Sequence, residues 1–241
     1  MDFQESAAAN FERHLARNSY PGRVLVIGQA EDGSWVQLYA IMGRSEQSRN
    51  RRFVADGPTL RTEPVDPSKV EDPSLIIYRA MAELPGVYLV TNGDQTDTIV
   101  DALRRAQTFE AALATRECEP DSPNYTPRIS GMLDARGGEP EVALSILRAN
   151  DSDPEQTDRV STRPAALPPG YGYLLSVYQG DGSPLPPFRG DPLPVRLSGS
   201  ATQILDRYWS ALDEENRVAL AVKQISDLSM PGSIVLRNRF R

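Results

Sequence analysis

The sequence predicts an α+β fold built on antiparallel sheets, and three observations lead there. Short apolar, β-branched runs come in hairpin pairs separated by turn residues. Helical patterns stand in separate blocks instead of alternating with strands, which disfavours a doubly wound parallel sheet. The 241 residues, 39% apolar and 24% charged, suffice for one large domain with a sizeable core, so the chain reads as a single domain over 1–241.

Taken in order, Ala7, Phe11 and Leu15 at i, i+4, i+8 spacing predict a peripheral N-terminal helix over 1–19, stopped by Tyr20-Pro21-Gly22. The apolar runs 24–27 and 35–42, separated by Glu31-Asp32-Gly33-Ser34, predict a hairpin, and residues 52–55 a further strand turning at Asp56-Gly57. Residues 59–73 read as a polar, proline-punctuated excursion, followed by the apolar run Leu75-Ile76-Ile77-Tyr78 and a short strand over 87–90. Ile99, Leu103, Ala106 and Leu113 place a helix over 96–115, and 129–133 with 142–147 form a second hairpin around Arg136-Gly137-Gly138. The polar, proline-rich stretch 150–170 is expected as a surface loop, because strand pattern resumes at once over 171–178. Two helices, 200–212 and 214–225, and a last strand over 234–236 complete the prediction.

Composition removes several classes of function. One cysteine, Cys118, and one histidine, His14, leave no intramolecular disulfide, no thiolate zinc site and no Ser-His-Asp triad. A net charge of −7 argues against binding a nucleic acid polymer, whose affinity comes mainly from phosphate neutralisation. No apolar run approaches the ~20 residues of a membrane span, and the start MDFQESAAAN carries an acid where a secretion signal carries bases. The expectation is a cytoplasmic protein with no membrane partner. Neither GxGxxG, P-loop, HExxH nor CxxC occurs, so dinucleotide and ATP-hydrolysing functions lose their main support.

Three polar segments beside strands carry the candidate chemistry. In the first, Gly43 to Arg52, four arginines follow an apolar strand, and guanidinium groups there can hold a phosphate dianion if they are more than a solvated loop. In the second, Asn92 to Asp97, a glycine turn leads into a helix, where the polar residues either cap it or present donors to a ligand. The third, Glu117 to Arg128, sets three carboxylates, an asparagine, a tyrosine and an arginine between prolines, a rigid loop able to hold an acid and a base in fixed geometry.

The stretches YPGRVLVIG (20–28), GRSEQSRNR (43–51), TNGDQTD (91–97), EPDSPNYTPRISG (119–131) and, more weakly, GYGY with YQGDG (170–182) together resemble the archaeal type of IMP cyclohydrolase and its longer bacterial relatives, over roughly residues 20 to 190. The arginine motif is two residues longer than the compact archaeal pattern, and an extra Tyr125 precedes TPR. The resemblance implies an Ntn-hydrolase-like αββα sandwich. It implies an enzyme acting on a C–N bond of a cyclic amidine, closing 5-formamidoimidazole-4-carboxamide ribonucleotide to IMP and water in de novo purine synthesis. Glu119 (proton relay), Tyr39 and Tyr78 (hydroxyl donors) and Arg44 carry over as catalytic. Arg23, Arg51, Asn92, Asp94, Asn124 and Arg128 carry over as substrate-binding residues. No cofactor or metal is implied, and the partner is a small purine ribonucleotide; a homo-oligomer is left open. An amide hydrolase on the same scaffold and a non-catalytic purine nucleotide-binding protein are the alternatives, the first set back because no Ser, Thr or Cys is poised to become a new N-terminus.

Overall fold

The computed structural model describes residues 2–70, 73 and 76–240. Its strands are β1 (Arg23–Gln29), β2 (Trp35–Met42), β3 (Arg52–Asp56), β4 (Thr59–Glu63), β5 (Arg79–Leu84), β6 (Val87–Thr91), β7 (Arg128–Asp134), β8 (Glu141–Ala149), β9 (Thr157–Thr162), β10 (Tyr171–Ser176), β11 (Leu193–Arg196), β12 (Arg217–Ile225) and β13 (Ser233–Asn238). They form two antiparallel sheets, a six-stranded one in the order β11-β10-β1-β2-β12-β13 and a seven-stranded one in the order β3-β4-β5-β6-β7-β8-β9. The helices are α1 (Phe3–Phe11), α2 (Glu46–Arg49), α3 (Gln95–Arg104), α4 (Phe109–Leu113) and α5 (Ala201–Ala211). This is the expected α+β sandwich.

Alternation along the strands builds the layers. On β6, Tyr88 and Val90 enter the core between the sheets, while Val87 and Leu89 join Ile99, Leu103 and Phe109 in a second core beneath α3 and α4. On β7, Ile129 and Leu133 point to the first core and Met132 to the second. The six-stranded sheet is covered in turn by α5, through Ile204, Leu205 and Tyr208, and at its β11 edge by α1. Asp2 caps α1 in a reciprocal box with Glu5, and a π-helical turn, Glu12–Ala16, carries Leu15 into the core. Met1, the first residue of the expected helix, lies outside the described residues, as does Leu75 of the apolar run ahead of β5.

Four expectations change. Of residues 214–225, read as a helix, Arg217–Ile225 form β12, an inner strand buried on both faces from Val218 to Val222, where no alternation shows in the sequence. The helix expected over 96–115 breaks into α3 and α4, with Ala106 at φ 58 between them. The polar excursion contains β4, whose Leu60 and Thr62 face inward. Within 150–170, residues Thr157–Thr162 form β9, the edge strand beside β8. No helix among the described residues is long and apolar enough to cross a membrane.

Candidate active site

The strand-end turns of both sheets converge on a cleft of about 450 Å³, a size within the range of small-ligand sites. It is lined by Arg23 at the start of β1, by Arg44, Ser45, Ser48 and Arg51 around α2, by the loop from Glu119 to Thr126, and by Tyr178. Local sequence explains how each part is held. Ser45 caps α2 by accepting from Ser48 N, and Ser48 Oγ accepts from Ser45 N in return. Gly43 lets this turn fold back on the end of β2, since a Cβ there would stand 2.6 Å from the Ser48 carbonyl oxygen. Gly22, at φ +75, gives the same close approach to the ring of Tyr178, which also stacks on Tyr20.

Two of the four arginines between 44 and 52 face the cleft. Arg49 donates Nε to the Gly43 carbonyl, and Arg52 pairs with Glu63 on the neighbouring strand. Arg44 lies at the half-exposed mouth, its guanidinium 4.8 Å from the centre of the Tyr20 ring and paired with Asp181. Arg51 is 93% buried, and its Nε and Nη1 have no hydrogen-bond partner. Burial, and then the neighbouring charge of Arg23, lower its proton affinity.

Arg23 faces Glu119, Nη2 to Oε2 3.9 Å, with both side chains almost wholly buried. Burial pushes the Glu119 carboxyl above the usual range, and the nearby guanidinium groups of Arg23 and Arg128 only partly offset it. For Arg23 burial acts to lower the pKa, but the Glu119 charge and neighbouring phenols outweigh it and the net direction is upward. The Glu119 backbone is fixed because its N–H donates to the Thr126 carbonyl at 2.9 Å.

The other expected site residues divide. Asn124 lines the cleft, its Oδ1 occupied by the Leu185 N–H. Tyr39 and Tyr78 lie behind the lining, hydroxyl to hydroxyl 2.7 Å apart, close enough to Arg23 and Arg51 to act on both electrostatically. Asn92, Asp94 and Arg128 do not line it. The Asn92 amide donates to the Pro127 carbonyl and accepts from Ile129 N and Gln95 Nε2, so its bonds tie the end of β6 to the start of β7 and to α3. Arg128 is held by the Glu117 carbonyl, Asp94 and Gln95, and therefore props the Glu119 loop from behind.

Asp121, Thr126 and Tyr178 line the cleft without having been picked out from the sequence. The first two lie inside the motif EPDSPNYTPRISG and the third opens YQGDG, so their segments were legible but their side-chain directions were not. A second cleft, about 260 Å³, lies at the far end of β1 and is mostly apolar, between Trp35, Val142, Leu167 and Tyr173. It holds none of the candidate residues.

A family model described as IMP cyclohydrolase-like protein matches residues 20–228. A protein named IMP cyclohydrolase from Methanothrix thermoacetophila is 27% identical over 206 residues, 84% of this chain and 91% of the relative. One of the same name from Methanopyrus kandleri is 31% identical over 169 residues, 66% of this chain and 75% of the relative. Another from Methanococcus maripaludis is 29% identical over 164 residues, again 66% and 75% of the two chains.

Proposed function

The chain belongs to the IMP cyclohydrolase-like family, and from that membership and the geometry of the cleft we propose that it closes 5-formamidoimidazole-4-carboxamide ribonucleotide to IMP and water. The observation that carries the reading is Arg51. A buried guanidinium with two unpartnered nitrogens is costly in the empty protein, and acceptor oxygens of a ligand remove that cost.

The reaction needs positioning more than reagents, since both reacting groups already belong to one molecule. The carboxamide nitrogen attacks the formyl carbon, a C–N bond forms, and the carbonyl electron pair moves to oxygen. Arg51 and Arg23 donate to the substrate oxygens where that charge develops. Glu119 takes one proton from the carboxamide nitrogen and delivers it to the former formyl oxygen. A second proton leaves the formamide nitrogen as the C–O bond breaks, so the oxygen departs as water and the C=N bond of the new ring forms. A carboxyl whose pKa is raised by burial holds a proton more readily than an exposed glutamate and can both accept and return it. Tyr39 and Tyr78, bonded to each other, favour the arginine charges electrostatically from behind, and Arg44 at the mouth meets the 5′-phosphate.

The hydroxyl groups on the wall support this reading over amide hydrolysis. The aliphatic hydroxyls of Ser45, Ser48 and Thr126, and the Tyr178 phenol, are all bonded to protein partners, and no histidine or lysine is among the lining residues to activate a nucleophile. Cys118 accepts from the Thr157 hydroxyl and does not line the cleft. The test is turnover: purified protein with the formamido ribonucleotide and a metal chelator, without folate or nucleoside triphosphate, is expected to form IMP. A strict requirement for an added divalent ion would refute the scheme.

A further inference from the structure

Asp121, Thr126 and Tyr178 form a hydrogen-bonded chain in the wall of the cleft, running from half-buried Asp121 to buried Thr126 and Tyr178. Thr126 Oγ1 donates to Asp121 Oδ2 at 2.5 Å, and Thr126 N donates to Asp121 Oδ1 at 2.6 Å. The single threonine hydroxyl proton is thereby committed. The 2.7 Å contact between Thr126 Oγ1 and the Tyr178 hydroxyl then has one consistent polarity, with the phenol as donor. Tyr178 therefore shows the cleft only lone pairs, and its ring cannot turn away, being packed between Tyr20 and the bare backbone of Gly22. Asp121 shows the cleft only acceptors as well. Asn124 faces the same space with the reverse polarity, because its Oδ1 is taken by Leu185 N and its amide hydrogens are left to donate.

Two neighbouring acceptors and one donor match a pair of adjacent hydroxyl groups, each able to donate and accept. They do not match a phosphate, which only accepts at neutral pH and meets a carboxylate here. Nor do they match the reacting end of the nucleotide as well, since Glu119 and Arg51 occupy the dry floor while Asp121 and Asn124 stand on the wetter wall.

We propose that Asp121 and Tyr178, set in polarity by Thr126, bind the 2′,3′-diol of the ribose and make the site selective for ribonucleotides. This rests on the function proposed above and names the part of the cleft that reads the sugar. Asp121 and Tyr178 touch the ligand; Thr126 is a positioning residue.

Calorimetric titration with IMP, 2′-deoxy-IMP and 3′-deoxy-IMP tests it. The wild-type protein is expected to bind IMP roughly 10-fold to 100-fold more tightly than either deoxynucleotide, the range of a charge-assisted hydrogen bond. Asp121→Asn and Tyr178→Phe are expected to shrink that ratio to a few-fold. Thr126→Val should shrink it too, and Thr126→Ser, which restores the hydroxyl, should return it. A merely structural threonine would weaken all three nucleotides alike and leave the ratio unchanged. If IMP binds and the deoxynucleotides bind as tightly, the diol assignment is overturned and the functional reading stands. If the variants weaken the 5-aminoimidazole-4-carboxamide ribonucleotide but not IMP, these residues read the carboxamide and the diol assignment fails. If IMP itself does not bind, the functional reading falls and takes this inference with it.

Discussion

Glu119 is a glutamate kept at the bottom of a cleft by a loop that closes on itself, and two consequences follow from that placement. Its folded-state pKa is raised, chiefly by burial, so the native protein holds the proton more tightly than the unfolded chain does. Stability is therefore lost as pH rises from the ordinary glutamate range through the raised value, where the carboxyl ionises in the fold. Glu119→Gln removes that ionisation, so in thermal melts it is expected to lose the wild-type protein's fall in stability between the ordinary glutamate range and neutral pH, although it also takes from Arg23 its buried counter-charge. The same variant cannot carry a proton, and kcat should drop roughly 100-fold to 10,000-fold. Normal turnover with lowered stability would make Glu119 a structural acid. At the mouth, Arg44→Ala should weaken nucleotide binding roughly 10-fold to 150-fold, as loss of a charged hydrogen bond does, measured as a rise in KM. At this scale the sequence was legible by segment more than by side chain. Glu119, Arg51 and Arg23 meet in the cleft, whereas Asn92 and Arg128, from equally polar motifs, turn toward backbone carbonyls. A motif does not say which way a side chain points when a strand end nearby needs its amide.

The element that decides the site is α2, a single capped turn inserted between two strands of different sheets. It places Arg44 at one end and leads to Arg51 at the other, and it can close on β2 only because residue 43 lacks a side chain. Gly43→Ala forces the turn outward and should lower kcat/KM by roughly 100-fold, the usual penalty for misplacing a positioning group by about 1 Å, while far-ultraviolet circular dichroism stays unchanged. Unaltered kinetics would show that the turn does not set the arginines. The first strand pair was readable, although both strands are buried, because branched and aromatic runs flank a clear turn, and α5 because its apolar residues fall on one face. Strand β12 was not, since Ala219, Leu220 and Ala221 are all buried and the run is rich in good helix formers. Strand β4 was hidden in polar sequence, although Leu60 and Thr62 do alternate with Thr59, Arg61 and Glu63.

For the molecule as a whole, the two sheets meet largely through apolar side chains, and away from the cleft a buried ion pair joins them. Lys223 of β12 is fully buried and donates to Glu83 of β5 at 2.9 Å, joining one sheet to the other far along the chain. Breaking a buried pair leaves its partner's charge stranded, so Lys223→Met should cost about 3–5 kcal/mol in denaturant unfolding, and adding Glu83→Gln should recover most of it. Arg51 in the cleft follows the opposite logic, a buried guanidinium with two nitrogens that have no protein partner. That contrast is the core of the functional account, and thermal melting of Arg51→Met with and without IMP tests it most directly. The account predicts that IMP raises the melting temperature of the wild-type protein and not that of the variant, while the ligand-free variant melts at or above the wild-type temperature. A variant that melts well below the wild-type protein and is still stabilised by IMP would contradict it, making Arg51 a structural residue and the cleft something other than the nucleotide site.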